Sequence, residues 1–373
     1  MAWRAFCQTL SAAGERLLDP GLPADNPDIV EAVRHLATQT VCWLDGAFSA
    51  ERDLGMYRLN DLLTPWGGPN ADNVYRYARI DDQGTYRLHG NMHSCEEFLL
   101  ALRIDNLHAK DNGTLGEASA TELGLGPDQD VDVIFSPSGE GGVAIPPGTR
   151  MIAIREYYYD WRPLEPATLM FERLDGPPPK SGVVGALAEA SEQLTRSLTY
   201  WSDYMATARG RGEDNTFIAP RREPRGLQTM HYSFCFWSLR PDEALVVRFT
   251  EPQARYWSVQ LYQLGWFESL DISRPTSLNQ RQAVTGPDGV VTVVLSAADP
   301  GLANWLDTDG REAGLLTFRG AWLSAPAPQA SAEVVPLAKL DHVLGSEAPR
   351  VDAAGRATQL AARRDHLRWR FRT

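Results

Sequence analysis

The sequence predicts a mainly β protein with flanking helices and two β lobes. A chain of 373 residues exceeds what one hydrophobic core usually organises. Alternating apolar segments occur in two regions, and a long helical pattern lies between them. We expect five parts: a helical segment at 1–50, a first β-sandwich-like lobe at 51–180, a linking helix at 181–210, a jelly-roll β-sandwich at 211–325 and a tail with a basic helix at 326–373.

The first 50 residues show helical patterns. Residues 2–18 predict one helix, and residues 27–44 predict a second, because Ile29, Val33 and Leu36 recur on one face at spacings of three and four. No basic leader followed by an apolar run is evident, and no stretch reaches the roughly 18 apolar residues of a membrane helix. We therefore expect a cytoplasmic protein that does not associate with a membrane.

The first β lobe is predicted from short alternating segments. Residues 74–80 and 85–89 flank a turn at 82–84 and predict a hairpin. Further strands are expected at 130–135 and 151–161. The glycine-rich piece between them, Ser138–Gly142, lacks the lysine and the following helix of a phosphate-binding loop, so we interpret it as a hairpin turn.

A long amphipathic helix follows the boundary signal of glycine and prolines at 176–179. Its apolar stripe alternates between spacings of three and four over about six turns. The stripe comprises Val184, Leu187, Ser191, Leu194, Leu198, Trp201 and Met205. We expect this helix to pack against a sheet, with a dimer seam as the alternative.

The second β lobe and the tail complete the chain. Five strands separated by Pro, Gly and Asp turns predict an antiparallel sandwich or jelly roll. They lie at 230–238, 244–250, 256–264, 290–296 and 314–322.

Charge is unevenly distributed along the chain. The net charge of −12 argues against a duplex nucleic-acid binder. Residues 350–373 carry +5 and the remainder −17. We expect this tail to form a helix that docks through Leu360, Leu367 and Trp369, and a tail that binds nucleic acid or an anionic surface is the alternative.

Strand 256–262 is the first candidate for chemistry. Its odd positions, Trp257, Val259 and Leu261, suit a sandwich core, which leaves a polar and aromatic row on the other face. The row comprises Tyr256, Ser258, Gln260 and Tyr262. Such a row suits a ligand groove lined by aromatic rings, and an ordinary outer sheet face is the alternative.

Glu268 and His231 are the predicted catalytic pair. Glu268 is flanked by aromatic residues, and desolvation there would raise the pKa of its carboxyl towards that of a general acid or base. His231 opens a strand and is the histidine best suited to acid–base work, although an exposed loop glutamate and a structural histidine are the plainer interpretations. The predicted substrate-binding residues are Gln260, Tyr262, Trp266, Asn279, Trp305, Asp307 and Arg319. Asp307 and Arg319 could instead pair as a structural ion pair across adjacent strands.

No cofactor is predicted. The chain has no G-x-S-x-G elbow and no G-x-G-x-x-G after a strand. Its four cysteines show no paired spacing, so neither a disulfide framework nor a cysteine-built zinc site is indicated. His89 and His93 stand four residues apart and form a weak alternative metal pair, which we do not favour because Gly90 and Asn91 between them indicate a strand end rather than a helix.

Several short runs within residues 72–322 carry a resemblance to a known family. They are Asn215-Thr216-Phe217, Tyr256-Trp257-Ser258-Val259-Gln260-Leu261-Tyr262, Ser277-Leu278-Asn279, Pro287-Asp288-Gly289, Asn304-Trp305-Leu306-Asp307-Thr308 and Thr317-Phe318-Arg319. Together they resemble the bacterial family called domain of unknown function 1214. Upstream, Asn73-Val74-Tyr75-Arg76 and Thr85-Tyr86-Arg87-Leu88-His89-Gly90 resemble the domain of unknown function 1254 region that often accompanies it. The resemblance implies a jelly-roll sandwich joined to a smaller sandwich, and it implies no activity.

Two functions remain open. The first is a cofactor-free acid–base enzyme, such as a lyase, hydratase or hydrolase, acting on a small apolar molecule in an aromatic-lined pocket of the second lobe. The second is a non-catalytic module that binds a carbohydrate, a lipid or a protein. In either case we expect a small-molecule or protein partner, no nucleic acid and no membrane, and we consider a homodimer.

Overall fold

The computed structural model describes residues 1–18, 27–52, 55–61, 64–162, 165–177, 180–346 and 348–372. The chain forms two compact units, each assembled from three segments. The first comprises Met1–Pro69, Asn73–Tyr157 and Pro166–Asp203. The second comprises Asn70–Asp72, Tyr158–Glu165 and Tyr204–Thr373. The mainly β class with two lobes is confirmed, whereas the jelly-roll topology stays a prediction.

The predicted helices are present, and one further short helix, α4, was not predicted. They are α1 (Ala2–Leu17), α2 (Pro27–Ser49), α3 (Gly182–Arg209), α4 (Leu340–Leu344) and α5 (Ala353–Phe371). Short 3-10 turns cover Thr121–Leu123 and Leu337–Lys339. Among the helices of the described residues, none combines the length and apolarity that a membrane crossing requires.

Helix α3 packs on other helices. Leu187 and its neighbours Ala186 and Ala190 form one buried cluster with Phe6 of α1 and Ala47 of α2. The expectation that α3 covers a sheet is therefore wrong for this part of the helix. Apolar periodicity marks a buried face and does not specify whether a helix or a sheet covers that face.

The described residues of the first unit form nine strands in two sheets. The strands are β1 (Tyr57–Arg58), β2 (Asn73–Arg79), β3 (Tyr86–Asn91), β4 (Glu97–Arg103), β5 (Thr114–Ser119), β6 (Asp130–Ser136), β7 (Gly142–Ala144), β8 (Met151–Tyr157) and β9 (Thr168–Arg173). One sheet has the order β1-β2-β8-β4-β5 and the other β7-β6-β3-β9.

Three predictions for this unit are wrong in detail. Strands β2 and β3 do not form a hairpin, because β2 pairs with β1 and β8 whereas β3 pairs with β6 and β9. The turn between them exists, with Gly84 N donating to Asp81 O, but it carries the chain from one sheet to the other. The glycine-rich Ser138–Gly142 is not a hairpin turn either, since β6 and β7 run parallel. Strand β8 ends at Tyr157, four residues before the predicted end.

Of the predicted boundary at 176–179, Pro178 and Pro179 lie outside the described residues.

In the second unit, the residues that the structure describes form the other nine strands, again in two sheets. The strands are β10 (Thr216–Phe217), β11 (Met230–Ser238), β12 (Glu243–Thr250), β13 (Ala254–Tyr262), β14 (Ser277–Asn279), β15 (Val290–Ser296), β16 (Trp305–Asp307), β17 (Ala313–Leu323) and β18 (Ser331–Pro336). A five-stranded sheet has the order β10-β11-β17-β13-β14, and a four-stranded sheet has the order β16-β15-β12-β18.

One hydrophobic core joins these two sheets into a sandwich. Trp257, Val259 and Leu261 of β13 belong to the same buried cluster as Val247 of β12 and Val293 of β15. The odd positions of β13 therefore face the core, as the alternation in the sequence predicts. The even positions face the other side of the five-stranded sheet.

Helix α5 buries a face that the sequence did not indicate. Its buried side chains include Arg356, Arg363 and Arg370, whereas Trp369, a predicted apolar anchor, is 51% exposed. Leu367 is buried as expected. A guanidinium is planar and weakly hydrated, so it can stack on aromatic rings inside a protein while its N–H groups bond to backbone oxygens.

Candidate functional site

The polar row of β13 is buried. Tyr256, Ser258, Gln260 and Tyr262 are each at most 1% exposed, so this is not the ordinary solvent-facing sheet face that was the alternative. On the adjacent strand β17, Thr317 and Arg319 belong to the same face, because Thr317 is the register partner of Gln260 and Arg319 that of Ser258. We call these six residues the polar face.

Asp72 lies at one end of the polar face. Its carboxylate accepts hydrogen bonds from the hydroxyl of Tyr256 at 2.6 Å, from Trp161 Nε1 at 2.9 Å and from Asn279 Nδ2 at 2.8 Å. The Tyr256 hydroxyl also accepts a hydrogen bond from Asn70 Nδ2 at 2.7 Å. Both carboxylate oxygens are therefore engaged by the protein itself.

Burial dominates the electrostatics of this group. Desolvation raises the pKa of the Asp72 carboxyl, although its hydrogen bonds and the nearby Arg370 act in the opposite direction. Desolvation and the Asp72 carboxylate raise the pKa of the Tyr256 hydroxyl well above its usual value. Three of the roughly four acceptor sites of this carboxylate are occupied by protein donors, so its main role is to fix the geometry of the side chains around it.

Arg319 occupies the middle of the polar face. Its guanidinium lies over the ring of Tyr262 at 5.3 Å and over that of Tyr232 at 5.8 Å, and Nη1 lies 3.5 Å from Gln260 Oε1. Gln260 Oε1 also accepts a hydrogen bond from Ala71 N at 2.9 Å, which fixes the direction of the amide. The predicted substrate-binding residues Gln260, Tyr262 and Arg319 are thus neighbours.

Three polar atoms on this face lack hydrogen-bond partners among the described residues, and Ser258 Oγ is one of them. Gln260 Nε2 and Thr317 Oγ1 are buried, and neither has a hydrogen-bond partner among the described residues. Each such group costs about 1–3 kcal/mol when left unpaired in a protein interior. Because the two residues are register partners on one face, their unmet hydrogen-bonding capacity is concentrated in one place.

Glu268 lies beyond the end of β13. It is 8% exposed, and its carbonyl oxygen accepts a hydrogen bond from Gln263 N. The preceding Phe267 has φ of +57°, a conformation rarely adopted by a bulky residue, and its ring packs against those of Tyr262 and Phe234. Such backbone strain is often retained at functional positions.

His231 is distant from Glu268. His231 of β11 is the register partner of Gly320 on β17, and Gly320 is in turn the partner of Trp257 on β13. Tyr262, at the end of β13 near Glu268, is five residues beyond Trp257, which corresponds to about 17 Å along the strand. His231 alternates with Tyr232, whose ring lies near Arg319, so the histidine faces away from the polar face. Its Nε2 accepts a hydrogen bond from Arg222 Nε at 3.2 Å. Burial and the Arg222 charge lower the pKa of His231.

The other predicted site residues lie in separate surroundings. Asn279 belongs to the Asp72 group, and Trp266 is half-buried in the loop after β13. Trp305 packs under Arg356 of α5 at 5.0 Å. The ion pair of Asp307 with Arg319 is wrong: Asp307 lies on β16 in the four-stranded sheet and pairs with Arg274.

The two histidines of the metal alternative have different neighbours. His89 Nε2 lies 3.5 Å from Glu172 Oε1, and His93 Nε2 lies 3.1 Å from the hydroxyl of Thr168. A search of the described ranges finds no group of three or more His, Cys, Asp or Glu side chains placed to hold a metal ion. His89 and His93 are therefore better described as two separate polar contacts.

Asp72 and Trp161 are the residues that sequence reasoning missed. Neither lies in a motif. Each belongs to a short segment that is part of the second unit, although it lies in the sequence between two strands of the first unit. The polar row of β13 was visible in the sequence from its alternation. The residues that meet the row were not, because they come from distant parts of the chain.

Comparison with known proteins supports one of the two predicted family resemblances. The family described as "Protein of unknown function (DUF1214)" matches residues 238–321. A crystal structure of an uncharacterized protein from Burkholderia cenocepacia is 28% identical, with a TM-score of 0.81 over 91% of this chain and 98% of that chain. Another, from Vibrio parahaemolyticus, is 14% identical with a TM-score of 0.45, covering 80% of this chain and 99% of that chain. No curated protein matches the chain.

Proposed function

We propose that the second unit binds a small, largely apolar molecule that bears an oxygen-containing polar group, on the polar face. The unpartnered pair of Gln260 Nε2 and Thr317 Oγ1 carries this proposal. Together with Arg319 they offer two hydrogen-bond donors and a hydroxyl that can donate or accept, a set suited to a carbonyl or carboxylate. Tyr262 and the surrounding aromatic rings suit the apolar part.

The enzymatic form of the proposal adds Glu268 as general acid or base. Its support is the burial of Glu268 together with the strained backbone at Phe267. We do not propose His231 as a direct partner of Glu268, because it lies about 17 Å from the Glu268 end of the sheet and faces away from the polar face. Once a ligand is known, Glu268→Gln is expected to abolish its turnover while leaving the melting temperature nearly unchanged. Unchanged turnover would leave a binding module.

Thr317→Val is the experiment that tests the binding site. The substitution keeps the shape of the side chain and removes the unpartnered hydroxyl. We expect the ligand-free variant to melt at the same temperature as the wild type or higher, because a buried unpaired polar atom is removed. We expect it to lose the thermal shift that a ligand gives the wild type.

The ligand is sought by a thermal-shift screen of sugars, sterols, aromatic acids and acyl compounds. A ligand at 100 times its Kd stabilises by about 2.7 kcal/mol, which is readable as a shift in melting temperature. A hit that persists in Thr317→Val contradicts the proposed site. Silence across the panel, or a clearly lower melting temperature of the ligand-free variant, also counts against it.

We also infer the finer assignments that accompany this function. The region upstream of the matched segment is assigned to the domain of unknown function 1254, supported by the runs Asn73–Arg76 on β2 and Thr85–Gly90 on β3. A cytoplasmic location, a homodimer and the absence of nucleic-acid partners belong to the same proposal. Cell fractionation and light scattering of the purified protein test the first two.

A further inference from the structure

A separate cavity of about 380 Å³ lies within the second unit, beside α5. This volume is at the small end of the range for ligand pockets. Two indole rings, Trp161 and Trp305, line it together with Leu278 of β14 and Leu360 of α5. Trp161 is held rigidly, since its Nε1 donates to Asp72 and its ring stacks under Arg363 at 4.3 Å.

The cavity carries an excess of positive charge. Of its four arginines, Arg162 is paired with Asp160 and Arg356 with Asp299. Arg363 donates its hydrogen bonds to neutral oxygens, those of Ile272 and Ser277. Arg281 is exposed at the cavity, where its charge helps to lower the pKa of Asp160, but it forms no ion pair within the described part of the chain.

Burial supports the same conclusion for Arg363. Desolvation lowers the pKa of its guanidinium to about 9, and the charge of Asp72, which acts in the opposite direction, does not offset this effect. A carboxylate entering the cavity would add negative charge beside arginines that form no ion pair, and a flat apolar body would contact the two indole rings. An arginine fork is suited to such a group because it can donate two parallel hydrogen bonds.

We propose that this cavity is a binding site for a small aromatic carboxylate, whose anionic group is held by Arg281 and whose ring lies between Trp161 and Trp305. The inference does not rest on the proposed function, since the polar face contributes no residue that lines the cavity. It assigns a second ligand class to the same unit.

The probe is 2-naphthoate, with 2-naphthamide as its neutral isostere, measured by isothermal titration calorimetry on the full chain. We expect saturable binding of the acid to the wild type and binding of the amide at least about tenfold weaker. Arg281→Gln is expected to weaken binding of the acid by about tenfold or more without changing the melting temperature. Leu360→Trp fills the cavity from a half-buried position and is expected to abolish binding.

Arg364→Gln is the matched control, because it removes the same charge from an exposed position on α5 that does not line the cavity. It should bind 2-naphthoate as the wild type does, and so should Thr317→Val, which separates this inference from the proposed function. Equal affinity for acid and amide overturns the proposal, as does equal weakening in Arg281→Gln and Arg364→Gln. Absence of saturable binding below about 1 mM also overturns it.

Discussion

Asp72 enters the second unit in a segment of three residues, and its hydrogen-bonding partners are 89, 184 and 207 positions away in the sequence. Local patterns cannot predict contacts of this kind, because periodicity and turn signals act over a few residues. The sequence did indicate one of the partners, Asn279, as a site residue. Its partnership with a buried carboxylate depends on the whole chain.

Asp72→Ala is expected to destabilise the protein by about 3–5 kcal/mol, because it removes the buried carboxylate that faces Arg363 and Arg370 and leaves Trp161, Tyr256 and Asn279 with only their second acceptors. Urea unfolding measures the loss. Asp341→Ala, which breaks an exposed ion pair with Arg350, is the control and should change stability by less than about 0.5 kcal/mol. Similar values for the two variants would mean that Asp72 is not an anchor.

Among the elements, α5 shows most clearly what sequence patterns predict and what they leave out. Its extent follows from helix-forming residues and from Asp352, which caps the helix by accepting a hydrogen bond from Gly355 N. Its buried face did not follow, because arginines are normally counted as solvent-facing residues. Hydropathy does not register a guanidinium that stacks on Trp161 and bonds to backbone oxygens.

Arg363→Lys tests this role. Lysine keeps the positive charge, but its ammonium cannot reproduce a planar group that stacks on Trp161 and reaches both Ile272 O and Ser277. We expect a loss of about 1–3 kcal/mol, read as a lower melting temperature. Arg364→Lys, at the next and exposed position, should melt with the wild type, and a wild-type melting temperature in Arg363→Lys would refute the packing role.

At the scale of the whole molecule, composition and periodicity were sufficient to predict the class of fold. They could not predict which strands pair with one another in a sheet. The strands β2 and β3 illustrate the reason, because the same short turn can join two strands of one sheet or pass between two sheets. Net charge likewise describes the whole chain. Net charge does not indicate which buried groups make stability depend on pH, and we expect His108 to be one of them.

His108 is expected to make the protein acid-sensitive. Burial against the rings of Trp43 and Trp66 lowers its pKa to about 3, so the folded chain keeps this ring neutral while the unfolded chain protonates it below about 6.5. The free energy of unfolding should therefore fall as the pH is lowered through this range, by up to about 1.4 kcal/mol per pH unit.

Urea unfolding of the wild type and His108→Gln at several values between pH 7.5 and 4 measures this dependence. The variant cannot ionise at this position and should lose less stability on acidification than the wild type, by about 2 kcal/mol at pH 5. Its stability at pH 7.5 is expected to be lower, since the contact of His108 with Gln193 is altered. Parallel pH profiles would show that another group is responsible.

The division of the second unit into three segments has a consequence for how the protein is made. Ala71 O accepts a hydrogen bond from Arg370, 299 positions later, so this contact within the second unit cannot form until α5 has left the ribosome. Synthesis of the first 203 residues supplies almost everything that the first unit needs, while Asn70–Asp72 and Tyr158–Glu165 wait for their partners. A gene fragment that encodes only residues 204–373 would lack Asp72 and Trp161, and the matched family segment cannot be separated from the rest of the chain by a single cut.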